Sequence, residues 1–251
     1  MRAAFFVLLF ILTNSTLLLL YHFTWERFFV GAVLYTIGTL LMLFLLFNPR
    51  NQFLVANRSR VESNGKRRIA LTFDDGPNPE HTKLLLNILR EKSVKATFFV
   101  VGKNVLEYPD LARLLIAEGH QIASHTYSHP LNFCFLLPRR LQEELQKGMD
   151  AIVRICDIRP SHFRSPAGLR HPLLRRYLHT TGMEYISWSV RGFDSRVQDP
   201  MALARRITNN VIPGSIILLH DQSGRATDSM LQALPRILDD LKSRGFEFVF
   251  L

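Results

Sequence analysis

The sequence has 251 residues, 47% of them hydrophobic, and carries 31 basic against 21 acidic side chains. This is enough apolar material for a sizeable core in one large domain or two small ones. The basic excess does not indicate a nucleic-acid-binding protein, because no dense basic patch is interleaved with aromatic residues. The two cysteines, Cys134 and Cys156, neither have a metal-ligand spacing nor require a disulfide.

Two apolar stretches come first along the chain. Residues 3–20 are apolar apart from a polar cluster at 13–16, and only two threonines are polar in residues 28–47. Because about 20 apolar residues span a bilayer, we predict a membrane anchor of two transmembrane helices over residues 1–47. A secretory signal peptide is the alternative for the first stretch, but no small-x-small cleavage site follows it.

Residues 48–68 form a basic segment with six basic side chains and one acid. We predict a juxtamembrane linker that can hold the following domain against anionic headgroups. The positive-inside rule places this linker on the cytoplasmic face of a cell inner membrane that the chain crosses more than once.

From residue 69 onward, short apolar runs alternate with amphipathic stretches. Strict alternation of strand and helix predicts an α/β fold with parallel strands and crossover helices, either a small barrel or an open sheet. Apolar residues at three and four spacing predict helices within 81–92, 108–119, 137–156, 171–182, 200–211 and 228–245. The seven predicted strands are IALTF (69–73), ATFFVV (96–101), QIAS (121–124), HFR (162–164), EYISWSV (184–190), SIILL (215–219) and FEFVF (246–250).

Polar clusters follow five of these strands. The carboxyl ends of parallel barrel strands meet on one face, where active sites are built, so we expect these clusters to converge. They are DDGP (74–77), HTYSH (125–129), RSPAG (164–168), RGFDS (191–195) and HD (220–221).

Two of the clusters indicate a metal site. His125 and His129 lie four apart, a spacing that predicts two imidazoles on one side of a helical turn, with a carboxylate as third ligand. Asp74 and Asp75 are adjacent like charges, which repel unless one binds a cation while the other acts as a general base. The alternatives are solvated histidines and a plain turn at DDGP.

The ordered motifs TFDDGP, HTYSH, RSPAG, an aspartate after the fifth strand and LLHD resemble those of the NodB-type polysaccharide deacetylases, carbohydrate esterase family 4. The resemblance covers residues 69 to about 221. It implies a distorted (β/α)7 barrel in a catalytic domain over 69–251, and metal-dependent removal of acetyl groups from N-acetylated sugars. The partner it implies is an N-acetylated glycan, and the predicted anchor adds membrane lipid and a lipid-linked sugar as further partners.

The resemblance also implies roles for individual side chains and a divalent metal, zinc first, with cobalt or nickel also compatible. The implied roles are general base for Asp74, metal ligands for Asp75, His125 and His129, orientation of the base for Arg164, general acid for His220 with Asp194 as its partner, a main-chain oxyanion donor at Ala167 and contact with the acetyl methyl for Leu218.

Three positions depart from the family pattern. Many members have an aromatic residue at Ala167, an acid at Arg191 and a tryptophan at Ser195. A more open and more basic site favours a bulkier or anionic substrate, such as a lipid-linked sugar phosphate. Many members act outside the cytoplasm, which opposes the face that the basic linker favours.

Two other functions stay open at this point. One is a deformylase or other acyl-amide hydrolase acting on a lipid-linked amino sugar. The other is a catalytically silent glycan-binding protein at the membrane, which would have no use for the complete set of base, ligands and acid.

Overall fold

The computed structural model describes residues 25–48, 51–221 and 225–251 of the chain. Within these residues one helix, α1 (Trp25–Phe47), is long and apolar enough to cross a membrane by length and composition, and only 6% of its apolar window is buried. A membrane anchor and a signal sequence both have these properties. A helix is therefore present at the second of the two predicted stretches, whereas the first, over residues 3–20, lies outside the described residues.

The rest of the described chain alternates strands and helices. The strands are β1 (Arg68–Asp74), β2 (Thr97–Val100), β3 (Gln121–Ser124), β4 (His162–Phe163), β5 (Glu184–Tyr185), β6 (Val190–Arg191), β7 (Ile216–His220) and β8 (Glu247–Phe248). The helices are α2 (Thr82–Glu91), α3 (Gly102–Glu107), α4 (Pro109–Ala117), α5 (Pro138–Cys156), α6 (Leu174–Thr181), α7 (Pro200–Thr208) and α8 (Arg225–Ser243), with short 3₁₀ turns at Phe133–Phe135 and Pro166–Gly168.

The strands form one parallel sheet, curled into a half-barrel. Its order is β5-β4-β3-β2-β1-β7-β6, and β8 pairs with the start of β1. The α/β fold with parallel strands is as predicted, but the barrel is open between β5 and β6. The prediction of seven strands was wrong at 184–190, which is not one strand but the two short strands β5 and β6.

The break between β5 and β6 has a physical cause in the use of the peptide groups there. Arg164 donates hydrogen bonds from Nε to Ile186 O (3.4 Å) and from Nη2 to Ser187 O (3.1 Å). The Ser187 N–H donates to Arg58 O at 3.0 Å. Because a buried arginine and the segment before β1 take up these groups, no neighbouring strand is needed to satisfy them.

Alternation along the strands separates two layers of core. On β1, Ile69, Leu71 and Phe73 pack against the helices, whereas Ala70 packs in the barrel interior with residues such as Phe99 and Leu218. Thr72 and Asp74 share the inward side with Ala70 by the same period of two. The chain thereby points Asp74, the last residue of β1, into the mouth of the barrel.

The segment before β1 lies along the barrel. Leu54, Val55 and Val61 are buried, and Arg58 and Arg60 form isolated bridges to Ile186 and Ser215. Arg58 also pairs with Glu184 at 2.7 Å. At least one positive charge of the predicted basic linker, that of Arg58, is therefore paired with an acid of the domain.

Candidate active site

Two predicted site residues lie opposite each other at the carboxyl ends of neighbouring strands. Asp74 on β1 is in register with His220 on β7. Parallel strands are about 4.8 Å apart, so the two backbones are adjacent and both side chains point inward. The pairing brings a carboxylate and an imidazole from opposite ends of the domain sequence to one mouth.

Asp75, His125 and His129 form a second cluster at this mouth. Their ligand atoms all lie within 4.8 Å of one another. Asp75 Oδ1 is 3.4 Å from His125 Nε2 and 3.2 Å from His129 Nε2. One carboxylate oxygen and two imidazole nitrogens facing a common point are the donor set of a divalent-metal site.

The protonation pattern of this cluster fits a cation. His125 Nδ1 lies 2.8 Å from Arg164 O, and because a carbonyl only accepts, this nitrogen carries a proton, so that in the neutral ring Nε2 is the nitrogen with the lone pair. Burial lowers the pKa of His129, which favours its neutral, ligating form. Burial opposes ionisation of Asp75, but His125 and the other imidazoles hold its pKa well below the usual range. The buried Asp75 Oδ1 has no hydrogen-bond partner of good geometry, as expected of a metal-ligand atom.

The loop that carries the two histidines is not helical, so the prediction of a helical turn was wrong. Residues 125–129 form an irregular bend in which Thr126 (φ 67°) and His129 (φ 54°) adopt the left-handed region. Such backbone strain persists only where the surroundings enforce it. The imidazole centroids nevertheless come to 5.0 Å, so the four-residue spacing brings the rings together by a different local structure.

Helix α5 enforces that bend through two residues one turn apart. The buried Glu144 carboxylate accepts hydrogen bonds from the N–H groups of Tyr127 (3.1 Å) and Ser128 (2.8 Å) and from Ser128 Oγ (2.7 Å). At Gly148 a Cβ atom would lie 2.8 Å from the backbone carbonyl of Thr126. The loop therefore packs so closely against the helix that only glycine, which has no Cβ atom, fits at position 148.

Asp74 is held by a fully buried arginine rather than by the histidines. Arg164 Nη1 donates to Asp74 Oδ1 at 2.6 Å and to Thr72 Oγ1 at 2.9 Å. The guanidinium carbon also lies 4.0 Å from the centroid of the Phe99 ring. With Oδ1 occupied, Asp74 Oδ2 faces the metal cluster, 3.9 Å from His125 Nε2. The two adjacent aspartates thus have different partners.

His220 and Asp194 form the third part of the mouth. The Asp194 carboxylate accepts from the His220 backbone N–H at 2.7 Å and from its Nδ1 at 2.9 Å. Burial alone would lower the pKa of His220, but Asp194, with the more distant charges of Asp75 and Asp74, raises it to about 9. The imidazole is therefore protonated at neutral pH, with Nδ1 engaged and Nε2–H free to donate.

The remaining predicted positions surround this centre. Ala167 is exposed in the turn after β4 and has φ 52°. Leu218 is buried in the barrel interior with Trp188, two residues below His220. Arg191 ends β6 in register with Leu218, and Ser195 is exposed in the loop after it. All nine predicted site residues lie on or directly below one face.

Several side chains that hold the site were missed by sequence reasoning. Besides Glu144 they include Thr72 and Asp221, which accepts from Thr82 Oγ1 at 2.5 Å and donates its N–H to Asp74 O at 2.8 Å. Burial raises the pKa of Asp221 to about 7. Asp221 lies in the predicted cluster HD (220–221) and Thr72 in the motif TFDDGP, but their roles and that of Glu144 were not predicted, because their partners are distant in sequence.

Comparison with known proteins gives the same assignment. The family model described as Polysaccharide deacetylase matches residues 62–186. A peptidoglycan-N-acetylglucosamine deacetylase of Bacillus cereus is 32% identical over 186 residues, covering 74% of this chain and 67% of that protein. A chitooligosaccharide deacetylase of Rhizobium leguminosarum bv. trifolii is 38% identical over 199 residues, covering 72% and 88%.

A solved structure extends the likeness to the fold. The crystal structure of the Bc1960 peptidoglycan N-acetylglucosamine deacetylase in complex with 4-naphthalen-1-yl-N-oxidanyl-benzamide superposes with a TM-score of 0.72 at 31% identity. The match covers 78% of this chain and 90% of that one. The chain therefore belongs to the NodB-type polysaccharide deacetylases, carbohydrate esterase family 4, and is a hydrolase of the amide bond in N-acetylated amino sugars.

Proposed function

We propose that this protein is a metal-dependent, membrane-anchored N-deacetylase that releases acetate from an amino sugar and leaves a free amine. The observation that carries the proposal is the separation of the two adjacent carboxylates, with Asp75 facing two imidazoles and Asp74 held by Arg164. One carboxylate is then available to bind a cation and the other to accept a proton.

The metal would be held by Asp75, His125 and His129. When bound, a divalent ion supplies Lewis acidity toward the acetyl oxygen and lowers the pKa of water at the site. Zinc suits a set of two imidazoles and one carboxylate, and cobalt or nickel suits it as well.

The proton movements follow from which atoms are already engaged. Asp74 Oδ2 takes the proton of the attacking water, because Oδ1 is bound to Arg164. His220 donates its Nε2 proton to the departing nitrogen, because Nδ1 is bound to Asp194. The main-chain N–H near Ala167 supports the developing oxyanion, and Leu218 contacts the acetyl methyl.

The substrate class follows from the family and from the mouth of the barrel. Known relatives act on peptidoglycan N-acetylglucosamine and on chitooligosaccharides, and an N-acetylated glycan of this kind is the first candidate here. A lipid-linked N-acetyl sugar is the second candidate, which the position of α1 favours. A formyl group on a lipid-linked amino sugar is the alternative acyl group.

The end of α1 supports an anchor rather than a cleaved signal sequence. Leu46 in its last turn is 4% exposed and packs in a core cluster with Leu54 and Phe133. The Leu46 carbonyl accepts a hydrogen bond of 2.9 Å from the N–H of Arg170, in the loop after β4. A segment removed by cleavage would not contribute to the core of the mature domain, and this one meets the domain at its catalytic face.

An apolar rim beside this junction fits the bilayer surface. The loop after His129 exposes Leu131 (80%), Phe135 (62%) and Leu137 (73%), while its Phe133 packs with the end of α1. Contiguous exposed apolar side chains of this kind mark membrane or protein contacts. Continuity with α1 favours lipid, so the catalytic mouth faces the membrane. The basic charge of the linker sequence, residues 48–68, favours the cytoplasmic leaflet.

The function is tested by acetate release from the full-length protein in nanodiscs, alongside an Asp74→Asn variant. The substrates are a chitooligosaccharide, a peptidoglycan fragment, a lipid-linked N-acetyl sugar and its N-formyl counterpart, from which formate is measured. Release of acetate that is lost in the variant is the expected result. Formate alone would establish the other acyl group, and no release from any substrate would favour the silent glycan-binding protein.

Contact of the apolar rim with the bilayer is tested with a fluorescent label on Leu131→Cys. The label is attached in a Cys156→Ser background, which removes the partly exposed native thiol, whereas Cys134 is buried and is kept. Nitroxide-labelled lipids should quench this label and leave one on Leu84→Cys unquenched, since Leu84 is an exposed residue of α2. Equal quenching at both positions would contradict contact between the apolar rim and the bilayer.

A further inference from the structure

A cleft lies at the open edge of the half-barrel, where β5 and β6 do not pair. Its volume is about 530 Å³. The residues that matter for its chemistry are Asn48, Trp188, Arg191, Phe193, Arg206 and Asn210. It is thus formed by β6, by α7 and by the residue that follows the membrane helix.

Two guanidinium groups lie together in this cleft. The guanidinium carbons of Arg191 and Arg206 are 4.9 Å and 4.5 Å from the centroid of the same Phe193 ring. Arg191 is also 5.4 Å from the centroid of Trp188. Two like charges stacked on one ring repel each other, and an anion bound between them would remove that repulsion.

No protein carboxylate fills that role. Among residues 25–48, 51–221 and 225–251, no aspartate or glutamate oxygen lies within 4 Å of a side-chain nitrogen of Arg191 or Arg206. The Nε of Arg191 is buried and has no hydrogen-bond partner. A buried guanidinium N–H without an acceptor is costly, so the protein itself does not satisfy this guanidinium fully.

The cleft is separated from Asp74 by two buried side chains, Trp188 and Arg164. The Trp188 ring centroid is 5.8 Å from the Arg164 guanidinium carbon on one side and 5.4 Å from that of Arg191 on the other. Arg164 in turn holds Asp74. A single substrate with its acetamide at Asp74 and an anionic group at the cleft arginines must therefore extend around both side chains.

The chemistry of the cleft suits phosphate or carboxylate, and its position at the end of α1 favours phosphate. Guanidinium groups bind phosphate oxygens through two parallel N–H bonds, and the aromatic rings offer flat surfaces for a sugar. Asn48 directly follows α1, and its N–H still bonds to Phe44 O at 3.0 Å, so the cleft opens where the membrane helix ends. A phosphate that joins a sugar to a membrane lipid has this position.

We propose that this cleft binds the phosphate that joins an N-acetylated glycan to a membrane lipid. The proposal rests on the proposed function in that a sugar farther along the same glycan reaches Asp74. It makes Arg191 and Arg206 the residues that distinguish a phosphorylated substrate from a neutral oligosaccharide.

The test is calorimetric binding by the full-length protein in phosphatidylcholine nanodiscs, carrying Asp74→Asn so that nothing is turned over. The probes are N-acetylglucosamine 1-phosphate, N-acetylglucosamine and inorganic phosphate. We expect the sugar phosphate to bind at least about 10-fold more tightly than the neutral sugar, and either Arg191→Gln or Arg206→Gln to remove about 10-fold of its affinity.

The matched control is Arg205→Gln, an exposed neighbour on α7 that does not line the cleft. It should bind the sugar phosphate as the parent does. Arg206 is itself exposed, so its variant should fold even if that of Arg191 does not. Equal affinity for sugar and sugar phosphate, or losses in both cleft variants no greater than in Arg205→Gln, would overturn the proposal.

A further arm distinguishes the source of the phosphate. If nanodiscs with phosphatidylglycerol abolish sugar-phosphate binding in the parent but not in Arg206→Gln, lipid headgroups occupy the cleft and the proposal is wrong. The binding result is also independent of the reaction. Selective phosphate binding by a protein that releases no acetate would leave the cleft intact and remove the proposed function.

Discussion

The two sides of the catalytic mouth are built in different ways. On the closed side, formed by β1, β3 and β4, the side chains are buried and fixed, as Arg164 fixes Asp74 and Glu144 fixes the histidine loop. On the open side, beyond β6, two arginines stack on aromatic rings without carboxylate partners among the described residues. The family motifs lie mainly on the closed side, whereas Arg191 is a departure from them. Chemistry shared by a family needs fixed geometry, and substrate choice can vary where partners are missing.

Removal of metal should have the largest effect on the closed side. Dialysis against a chelator should reduce acetate release to background for every substrate. The metal that Asp75, His125 and His129 would hold is what activates the attacking water. Zinc added back at one equivalent should restore release, and cobalt and nickel provide the comparison of metals. Acetate release that survives chelation with any substrate would contradict a metal requirement common to all substrates.

Replacement of Arg164 should be next in size. Arg164→Met leaves the Asp74 carboxylate buried without its partner, which costs about 3–5 kcal/mol of the free energy of unfolding. Arg164→Lys keeps a charge but cannot reach Asp74, Thr72 and the Ser187 carbonyl at once, so kcat/KM should fall by about 100-fold with a smaller loss of stability. The exposed Arg113→Lys is the control for both assays.

A substitution at Gly148 tests the closed side without altering any of the three predicted metal ligands. Gly148→Ala places a methyl group 2.8 Å from the backbone of Thr126 and should displace the loop that carries His125 and His129. We expect zinc affinity to fall by about 10-fold while the helix content stays the same. Lys147→Ala, on the exposed face of the same helix, should bind zinc as the parent does, and equal affinities in both would show that the loop does not rest on Gly148.

The smallest expected effect is a shift in the pH profile. His220 must be protonated to donate, so activity should fall as pH rises through about 9, the pKa of this residue. Asp194→Asn removes the charge that raises this pKa, and the alkaline limb of kcat/KM should move to lower pH, toward the ordinary value near 6.5. An unmoved limb would assign it to another group.

The raised pKa of His220 also makes the free energy of unfolding depend on pH. The folded pKa of His220, about 9, exceeds its unfolded value near 6.5. Its contribution to the free energy of unfolding is therefore complete below about pH 6.5 and is lost as pH rises through about 9. Thermal melts of the parent and of Asp194→Asn should diverge at acidic and neutral pH and converge above pH 9.

Much of this molecule could be predicted from local sequence. The helices and most strands followed from apolar periodicity, and five polar clusters at strand ends converge as expected because parallel strands share one carboxyl edge. The break between β5 and β6 could not be predicted, because it depends on a hydrogen bond that Arg164 donates and on one that the Arg58 carbonyl accepts, and both residues are distant in sequence. The irregular histidine loop was missed for the same reason, since it depends on Glu144 and Gly148 of α5.

The roles of Asp74 and Asp75 are the central claim, and one paired measurement tests it most directly. Metal content by mass spectrometry and acetate release should be measured together on Asp74→Asn and Asp75→Asn. We predict that Asp74→Asn keeps one metal per chain while acetate release falls by about 1,000-fold, and that Asp75→Asn loses both metal and activity. Loss of metal from Asp74→Asn, or full metal content in Asp75→Asn, would contradict the division of roles between these two carboxylates.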